Sequence, residues 1–561
     1  MTELRHFTAA ALVLTCLLVL PNAGAAAGAD GLESTRSLAR TGAVQLALHR
    51  IDTLQPADTG APRWADWELL RLQLLAAADR HEDVLKRVAV LPAGVNMKSR
   101  TDVHILAAQS ALELGQGGTA REHAGRALWA PDGSATQARE LRLLVIRSQV
   151  RDAHGDDAYR SMLRFQQDYR PLDAETAAGF VNGLLDSGKT KEAVSWLALL
   201  EERGAAKLRL RLHTGLIAPQ EAATQARAGF ARNADPLWWR VLLDAGERLK
   251  SGELRIEALE HLLDVKKAPV ADAKALWESY VSYAREAANS HQLLAGDDLN
   301  WMEFAMRGRD RAPVIARAYF AYLARHARGQ TERQQAQEQL AAAFAKAKLS
   351  RAALRLYAEG PGDPVALSAA TRHTLGALAE GVAEHEQALR FWLGLPAPAG
   401  TSATDWNLQL AALALRAGRA SVAADIARQL TTAKAVIPQA QLPAWIVLAQ
   451  QFGDHGQHDG AQILFEHALL YADAAQARVV LAGIARLHES RKQPLLAADY
   501  YLRAAQRASG PDAAAAEARL QAGLNLARAG LLSDARTQFE WVLKNARDPV
   551  QIAIARRELG F

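Results

Sequence analysis

Four side chains that lie close together in the sequence are of the types that bind metal ions. They fall within six residues of one another: Asp454, His455, His458 and Asp459. Imidazole and carboxylate groups are good ligands for zinc and other divalent ions. However, Gly456 lies among them and is typical of a turn between two helices, where polar side chains face solvent. Because metal sites usually draw their ligands from rigid, supported elements, we predict a solvated turn and no metal ligand.

The sequence contains few patterns that are typical of enzymes. It has no G-x-S-x-G nucleophile elbow, no H-E-x-x-H zinc motif and no G-x-G-x-x-G after a strand. The adjacent pair Glu278-Ser279 lies between Trp277 and Tyr280 in a helical pattern, which favours a helix surface over a reactive site. We therefore predict no catalytic residue, no bound cofactor and no enzymatic activity.

The elements that would position any functional side chain are clearest at residues 444–473. Apolar residues recur there at helical spacing before and after a turn: Trp445, Leu448, Ala449, Phe452, Ala461, Phe465 and Ala468. If Trp445 is numbered position 4, these residues occupy positions 4, 7, 8, 11, 20, 24 and 27, with Gly456 at position 15. This pattern resembles the tetratricopeptide repeat family. The resemblance implies an all-α fold, a right-handed α-solenoid of stacked helix-turn-helix hairpins.

The same pattern repeats along most of the chain. Position 20 falls at Ala388, Ala423, Ala461, Ala497 and Ala535, in steps of 35, 38, 36 and 38 residues. A structural unit of nearly constant length is the simplest cause of such regular steps. We predict a tetratricopeptide-like array at residues 30–268 and a second one at 331–561 that ends in a capping helix. The family's repeat length implies about 13 to 15 hairpins.

The segment between the two arrays, residues 269–330, is less regular and rich in aromatic residues. Trp277, Tyr280 and Ala284 share helical spacing, which favours helices of irregular length with the aromatic rings in the core. An exposed aromatic binding surface is the alternative for this segment.

Charge and cysteine content exclude several classes of protein. The chain has 66 Lys and Arg against 61 Asp and Glu, a net charge of +5, and no dense basic run. Proteins that bind nucleic acid normally carry a concentrated basic stripe, so we predict no nucleic-acid partner. The single cysteine, Cys16, lies within the N-terminal apolar run, so a chain without that segment could form no disulfide bond.

The N-terminus has the pattern of a secretory signal. Arg5 and His6 precede an apolar run at residues 7–20, and small residues follow Pro21. A run of this length is too short for a comfortable membrane span, which needs about 20 residues. We predict a cleaved signal peptide at residues 1–25, no integral membrane span in the mature chain, and a periplasmic or otherwise exported protein. An N-terminal membrane anchor is the alternative.

The resemblance also implies where a ligand would bind. In this family ligands lie along the concave surface, at positions 2, 5, 9, 12 and 13 of the first helix of each hairpin. The candidate binding residues at these positions are Asn182, Glu380, Arg416, Gln450, Arg486, Glu489 and Arg528. Other members of the same set are Glu175, Asp186, His373, Asp405, Asp454 and Glu517. A solvated helix face is the alternative interpretation, since charged residues are expected on any helical surface.

The residues at these positions indicate the type of partner only in part. The family's clamp for chaperone C-termini needs Lys at position 5, where this chain has Ala178 and Ile446, so that mode is not predicted. A peptide or helix of a protein partner would suit the groove, and so would an anionic polysaccharide. We predict a non-catalytic scaffold or adaptor in a bacterial envelope machine for assembly, secretion or exopolysaccharide export.

The alternative function is a peptidoglycan- or polysaccharide-binding protein, or a hydrolase accessory, with sugar stacking on Trp277 or Trp301. Helical arrays occur in soluble lytic transglycosylases, to which the chain is similar in architecture. Their catalytic domain follows the array and carries a glutamate-serine pair before a G-L-M-Q-type segment. No such segment follows Glu278-Ser279.

Overall fold

The structure is a computed structural model. It describes residues 29–560, apart from positions 43, 62, 93–96, 131–133, 267–272, 292, 294–296, 359–366, 433–435 and 508–511. The predicted signal peptide at residues 1–25, and Cys16 with it, lies outside the described residues. All regular secondary structure in the described part is helical, so the prediction of an all-α array of stacked hairpins is confirmed. The right-handed sense of the array stays a prediction.

The helices divide into two compact units. The first unit ends at Arg328 and contains α1 (Ala29–Arg40), α2 (Val44–Leu54), α3 (Trp64–Ala77), α4 (His81–Ala89), α5 (Met97–Glu113), α6 (Gly117–Leu128), α7 (Ala135–Arg151), α8 (Gly155–Asp168), α9 (Ala174–Asp186), α10 (Thr190–Ala193), α11 (Ala205–His213), α12 (Pro219–Asn233), α13 (Leu237–Arg248), α14 (Gly252–Asp264), α15 (Ala273–Ser290), α16 (Asp298–Gly308) and α17 (Pro313–His326). A short 3-10 helix, Val194–Leu199, continues α10.

The second unit begins at Gly329. Its helices are α18 (Gln330–Ala347), α19 (Ser350–Ala358), α20 (Ala369–Gly381), α21 (His385–Trp392), α22 (Ala403–Arg416), α23 (Ala420–Thr432), α24 (Leu442–Asp454), α25 (His458–Leu469), α26 (Ala474–Ser490), α27 (Pro494–Gln506), α28 (Ala513–Arg528), α29 (Leu532–Asn545) and α30 (Pro549–Leu559).

The turns inside many of the hairpins share one backbone conformation. Gly456, at position 15, has φ +71°, and the amide of Gln457 donates to the carbonyl of Phe452 at 2.8 Å. This is the Schellman arrangement, which ends a helix with one residue in the left-handed region. Ala383 occupies the same position with φ +62°, and the amide of Glu384 donates to the carbonyl of Ala379 at 2.9 Å. Position 15 is therefore left-handed even where glycine is absent.

The helices of a hairpin approach closely because small residues face large ones. A Cβ added at Gly376, position 8, would lie 2.0 Å from Nε1 of Trp392 at position 24. A Cβ added at Gly523 would lie 2.6 Å from the ring of Phe539, which occupies the same two positions in another hairpin. The apolar spacing seen in the sequence is thus a volume match between the first and second helix of each unit.

The aromatic residues of segment 269–330 belong to the core. Trp277, Tyr280, Trp301 and Tyr319 are all buried within α15, α16 and α17. The Tyr280 hydroxyl donates to Oε1 of Glu260 at 2.5 Å, and Arg317 donates to the same carboxylate at 2.7 and 2.6 Å. The core interpretation is therefore confirmed for these four rings, and the alternative of an exposed aromatic surface is wrong for them.

Opposite substitutions at two turns test the role of position 15. An L-residue in the left-handed conformation destabilises the folded state by about 1–2 kcal/mol. Glycine lowers the stability by about 0.4–1 kcal/mol for a different reason, because it increases the conformational entropy of the unfolded chain. We therefore expect Gly456→Ala to lower, and Ala383→Gly to raise, the free energy of unfolding by about 0.5–1 kcal/mol. Urea denaturation followed by circular dichroism measures both changes. Shifts of the same sign in the two variants would contradict this account.

Two glycines of α20 provide a matched test of the packing. We expect Gly376→Ala to cost about 1–3 kcal/mol, because its Cβ must displace the indole of Trp392, which donates to the carbonyl of His373 at 3.2 Å. A Cβ added at Gly381 meets nothing within 4 Å, so Gly381→Ala should be neutral or stabilise by up to about 1 kcal/mol. Equal effects on the unfolding free energy would show that the close approach is not needed.

Candidate functional site

The candidate binding residues lie on the first helices of their hairpins. Asn182 is on α9 in the first unit. The others are on five helices of the second unit: Glu380 on α20, Arg416 on α22, Gln450 on α24, Arg486 and Glu489 on α26, and Arg528 on α28. We call the six in the second unit the first-helix strip. It follows positions 9, 12 and 13 of successive hairpins.

In the first unit, these positions form an internal polar network. Arg209 of α11 is buried and donates through Nη2 to Asp186 of α9 at 2.7 Å and through Nε to Asp244 of α13 at 2.6 Å. One guanidinium thus joins the first helices of three consecutive hairpins. Its planar guanidinium carries several N–H donors, so one side chain can bind two carboxylates at once.

Further side chains complete the network around Arg209. Nη1 of Arg209 donates to Oδ1 of Asn182 at 3.3 Å, and Asn182 is only 9% exposed. Nη2 of Arg240 donates to Asp186 at 2.5 Å, and Nε2 of His213 lies 2.7 Å from Oδ2 of Asp244. Asn182, the first-unit candidate, is therefore engaged within the protein.

The network controls the ionisation of its buried groups. Burial alone would raise the pKa of Asp244, but hydrogen bonds from His213 and Arg209 and the charge of Arg209 lower it below the ordinary value. Burial alone would lower the pKa of Arg209, yet Asp244 and Asp186 hold it above its ordinary value. Both groups are charged at neutral pH, because each compensates the desolvation of the other.

The strip contains two similar contacts between neighbouring hairpins. Nη2 of Arg416 lies 2.8 Å from Oε1 of Glu380, and Nδ1 of His385 lies 3.3 Å from the other carboxylate oxygen. The Arg416 side chain is 41% exposed, whereas that of Glu380 is 24% exposed. The arginine therefore presents more of its charge to solvent than its partner does.

Glu489 collects donors from two other helices. Its Oε2 accepts from the Tyr501 hydroxyl at 3.0 Å, and its Oε1 accepts from Nδ2 of Asn525 at 2.6 Å and from Nη1 of Arg528 at 3.4 Å. Burial and the nearby carboxylate raise the pKa of Tyr501. The Arg528 side chain is 61% exposed, against 24% for Glu489. Glu489 therefore acts as a hydrogen-bond acceptor for neighbouring groups, and its donors hold its carboxylate in one orientation.

The two remaining members of the strip belong to different environments. Arg486 is exposed, and its Nε donates to the carbonyl of Ala482 in its own helix at 3.4 Å. Gln450 is half-buried. The structure thus brings together Glu380 with Arg416 and Glu489 with Arg528, and leaves Arg486 facing solvent.

The metal-like side chains near Gly456 point in different directions. Nδ1 of His455 lies 2.8 Å from the carbonyl of Gln451 in its own helix, while Asp459 pairs with Arg491 at 2.5 Å. Among the described residues, no group of three or more histidine, cysteine and acidic side chains could hold a metal ion. The interpretation as a turn fits these contacts. Glu278 is likewise exposed on the surface of α15.

Sequence reasoning missed one stretch that has the spacing of a motif. Residues 183–190 fit G-x-x-x-x-G-K-[ST], the pattern of a phosphate-binding loop, which uses free backbone amides after a strand. Here the stretch forms the end of α9 and the hairpin turn. The amides of Gly188 and Lys189 donate to the carbonyls of Leu185 and Leu184 at 3.0 and 2.8 Å, and Lys189 pairs with Asp156 at 2.7 Å. These groups are therefore engaged in the turn and do not form a phosphate cradle.

Sequence reasoning also missed Arg209 and Asp244. They lie in residues 205–270, where the repeat pattern is least clear, so no position number directed attention to them. A signal was present, because α11 has the sequence AAKLRLRLH, with basic residues spaced between leucines. Leu208 and Leu210 are buried on either side of Arg209, and the arginine is buried with them.

No helix in the described part of the chain is long and apolar enough to cross a membrane. No protein-family model matches the sequence, and no curated protein matches it either. Three solved structures are similar to it over most of its length. The APC/C hetero-tetramer Cut9-Hcn1 is 13% identical with a TM-score of 0.25, covering 98% of this chain and 99% of that one.

The second structure is yeast Tom70, 12% identical with a TM-score of 0.23, covering 95% of each chain. The third is Naa15/Naa10 bound to HypK-THB, 14% identical with a TM-score of 0.22, covering 95% of this chain and 78% of that one. TM-scores of this size carry no argument about fold or function, so the fold assignment rests on the described helices.

Removing Arg209 tests whether the network joins the hairpins. We expect Arg209→Met to lower the free energy of unfolding by about 3–5 kcal/mol. The substitution removes the charge that joins Asp186 and Asp244 and leaves only His213 beside the buried Asp244. Arg203→Met, at an exposed position just before α11, should change it by less than about 0.5 kcal/mol. Chemical denaturation of both variants measures the difference. An Arg209→Met protein as stable as the control would contradict the proposed role.

Proposed function

We propose that the chain is a non-catalytic scaffold that binds protein partners through the first-helix strip. The observation that carries the proposal is the exposure of Arg416, Arg486 and Arg528 on first helices of the same unit. The two glutamates beside them are more buried and accept hydrogen bonds from within the protein. The strip therefore offers guanidinium groups to a partner, which favours an acidic peptide or helix.

The chemistry of the strip favours binding over catalysis. Glu489 is held by Tyr501, Asn525 and Arg528, and Glu380 by Arg416 and His385. A general base must reach a proton on a substrate, but the oxygens of these carboxylates already accept bonds from protein donors. These hydrogen bonds hold the side chains of the strip in place. They leave neither Glu380 nor Glu489 free to act as a general base.

The cellular setting is part of the proposal. The signal-like N-terminus supports export to the periplasm, where the scaffold would serve an assembly, secretion or exopolysaccharide-export machine. A sugar-binding or hydrolase-accessory role would need an exposed aromatic platform. Trp277 and Trp301 were the candidates for that platform, and both are buried. Incubation of the protein with peptidoglycan distinguishes the two functions, because release of soluble sugar fragments would overturn the scaffold.

Charge reversal on the strip tests the binding surface. The variant Arg416→Glu/Arg486→Glu/Arg528→Glu should weaken binding to a protein partner, first identified by cross-linking in an envelope extract and then purified, by about tenfold or more. Isothermal titration calorimetry with that partner measures the dissociation constant. Because Glu380 and Glu489 would face new like charges, the corresponding Arg→Gln variant is measured beside it, with thermal unfolding as a check on folding.

The matched control reverses three arginines on second helices of the same unit: Arg390, Arg428 and Arg536. All three are exposed, and two of them sit in ion pairs within their own helix. The control changes the net charge by the same amount, so it should leave most of the affinity intact. An equal loss of affinity in both triple variants would show that net charge alone causes the effect. Unchanged binding in the strip variant would reject this surface.

A further inference from the structure

Two histidines face each other across one hairpin of the first unit. His104 lies on α5 and His123 on α6, and their Nδ1 atoms are 3.0 Å apart. The ring centroids are 5.2 Å apart, with the planes tilted by 35°. Buried Ala108, Ala120 and Ala124 let these two helices approach closely, so the backbone geometry holds the two rings together.

The two positions are a regular contact point of the repeat. With Ala120 at position 20, His104 occupies position 4 and His123 position 23. In the hairpin of α24 and α25, the same positions hold buried Trp445 and Leu464. In the hairpin of α28 and α29 they hold Arg519 and Gln538, which are hydrogen-bonded at 2.8 Å. The pair of imidazoles therefore differs from the apolar contact and from the hydrogen-bonded polar pair that these two other hairpins have at the same positions.

At most one hydrogen lies between the two Nδ1 atoms. Two Nδ1 atoms at 3.0 Å cannot both carry a hydrogen that points at the other, so at least one of them is an acceptor. Burial lowers the pKa of both imidazoles, and the positive charge of Arg126 lowers each further. A neutral imidazole with its hydrogen on Nε2 presents the Nδ1 lone pair, and this is the form that binds metal ions.

The distance between the nitrogens favours one coordination geometry. For metal–nitrogen bonds of about 2.0–2.1 Å, two nitrogens 3.0 Å apart subtend an angle of about 95° at the metal. Neighbouring sites of a square-planar or tetragonal copper(II) complex have this angle, whereas tetrahedral zinc needs nitrogens about 3.3–3.4 Å apart. Copper(II) is also the strongest binder among divalent first-row ions at nitrogen sites.

We propose that His104 and His123 form a two-histidine binding site for copper(II), with water completing the coordination sphere. Both side chains are half-buried and partly accessible to solvent, so water can reach the metal position. The inference is independent of the scaffold function, because the pair lies in the first unit and the first-helix strip lies in the second.

The charges around the pair set a limit on the affinity. Arg126 and Arg100 oppose a bound cation, while Glu122 favours it, as their effects on the pKa of His104 show. Nη2 of Arg126 is held by Oε1 of Glu122 at 2.6 Å, which compensates its charge locally. With two protein ligands and this balance of charges, the site would bind copper(II) weakly enough for the ion to exchange with solution.

Copper titration of the full chain tests the site. Calorimetry should show one copper(II) ion bound by the wild-type protein that is lost, or bound at least about tenfold more weakly, in His104→Gln and in His123→Gln. Electron paramagnetic resonance of the wild-type complex should show hyperfine coupling to two nitrogens. Copper should also raise the thermal unfolding temperature of the wild-type protein more than that of either variant.

The control variant is His154→Gln, which removes an exposed histidine beyond this hairpin and should bind copper as the wild-type protein does. Any copper bound at the chain terminus is common to all four proteins, so the difference between them reports the pair. Equal copper stoichiometry and affinity in His104→Gln, His123→Gln and the wild type would overturn the proposal. Variants that lose stability but keep their copper would show that the pair is only a hydrogen bond.

Discussion

The close approach of two helices at a small residue is the constraint on which the structure depends. Ala461 and its counterparts at position 20 are fully or almost fully buried, and a larger side chain there would separate the helices. Opposite them, the aromatic residue at position 24 fills the space left by a glycine or alanine on a neighbouring helix. The left-handed residue at position 15 sets the angle at which the second helix returns. Together these features make each hairpin a rigid unit.

Rigid hairpins also need contacts with their neighbours, and the polar residues of the first helices provide them. Arg209 joins α9, α11 and α13, while Arg416 and Arg528 each reach a glutamate on the preceding first helix. The same positions therefore serve two purposes. Where the charges are fully buried, they hold hairpins together at a large desolvation cost; where the arginines are exposed, they remain available to a partner.

The sequence predicts the helices better than it predicts the uses of their polar residues. The spacing of alanines and aromatic residues locates the hairpins, because burial of apolar side chains requires a periodic pattern in the sequence. Ala383 shows the limit of such patterns, since its left-handed turn is imposed by the two packed helices and has no glycine to signal it.

In the candidate site too, the sequence predicts where the residues lie better than it predicts what they contact. The position numbers correctly place Glu380, Arg416, Glu489 and Arg528 on first helices, but they do not reveal that these residues pair with one another. Asn182 has the same position number as Gln450 and Arg486, yet it is buried beside Arg209 because the neighbouring hairpin brings a guanidinium over it. Partners 27 to 39 residues apart become neighbours only in the folded array, so a single position cannot show which groups remain free.

The central claim is that partners bind along the first helices of the second unit. Hydrogen–deuterium exchange of the chain alone and with a bound protein partner tests this claim most directly, because it reports every helix at once. The account predicts slower exchange on complex formation in α20, α22, α24, α26 and α28, with little change in α21, α23 and α25. Protection confined to those second helices, or to α15–α17 in the first unit, would contradict it.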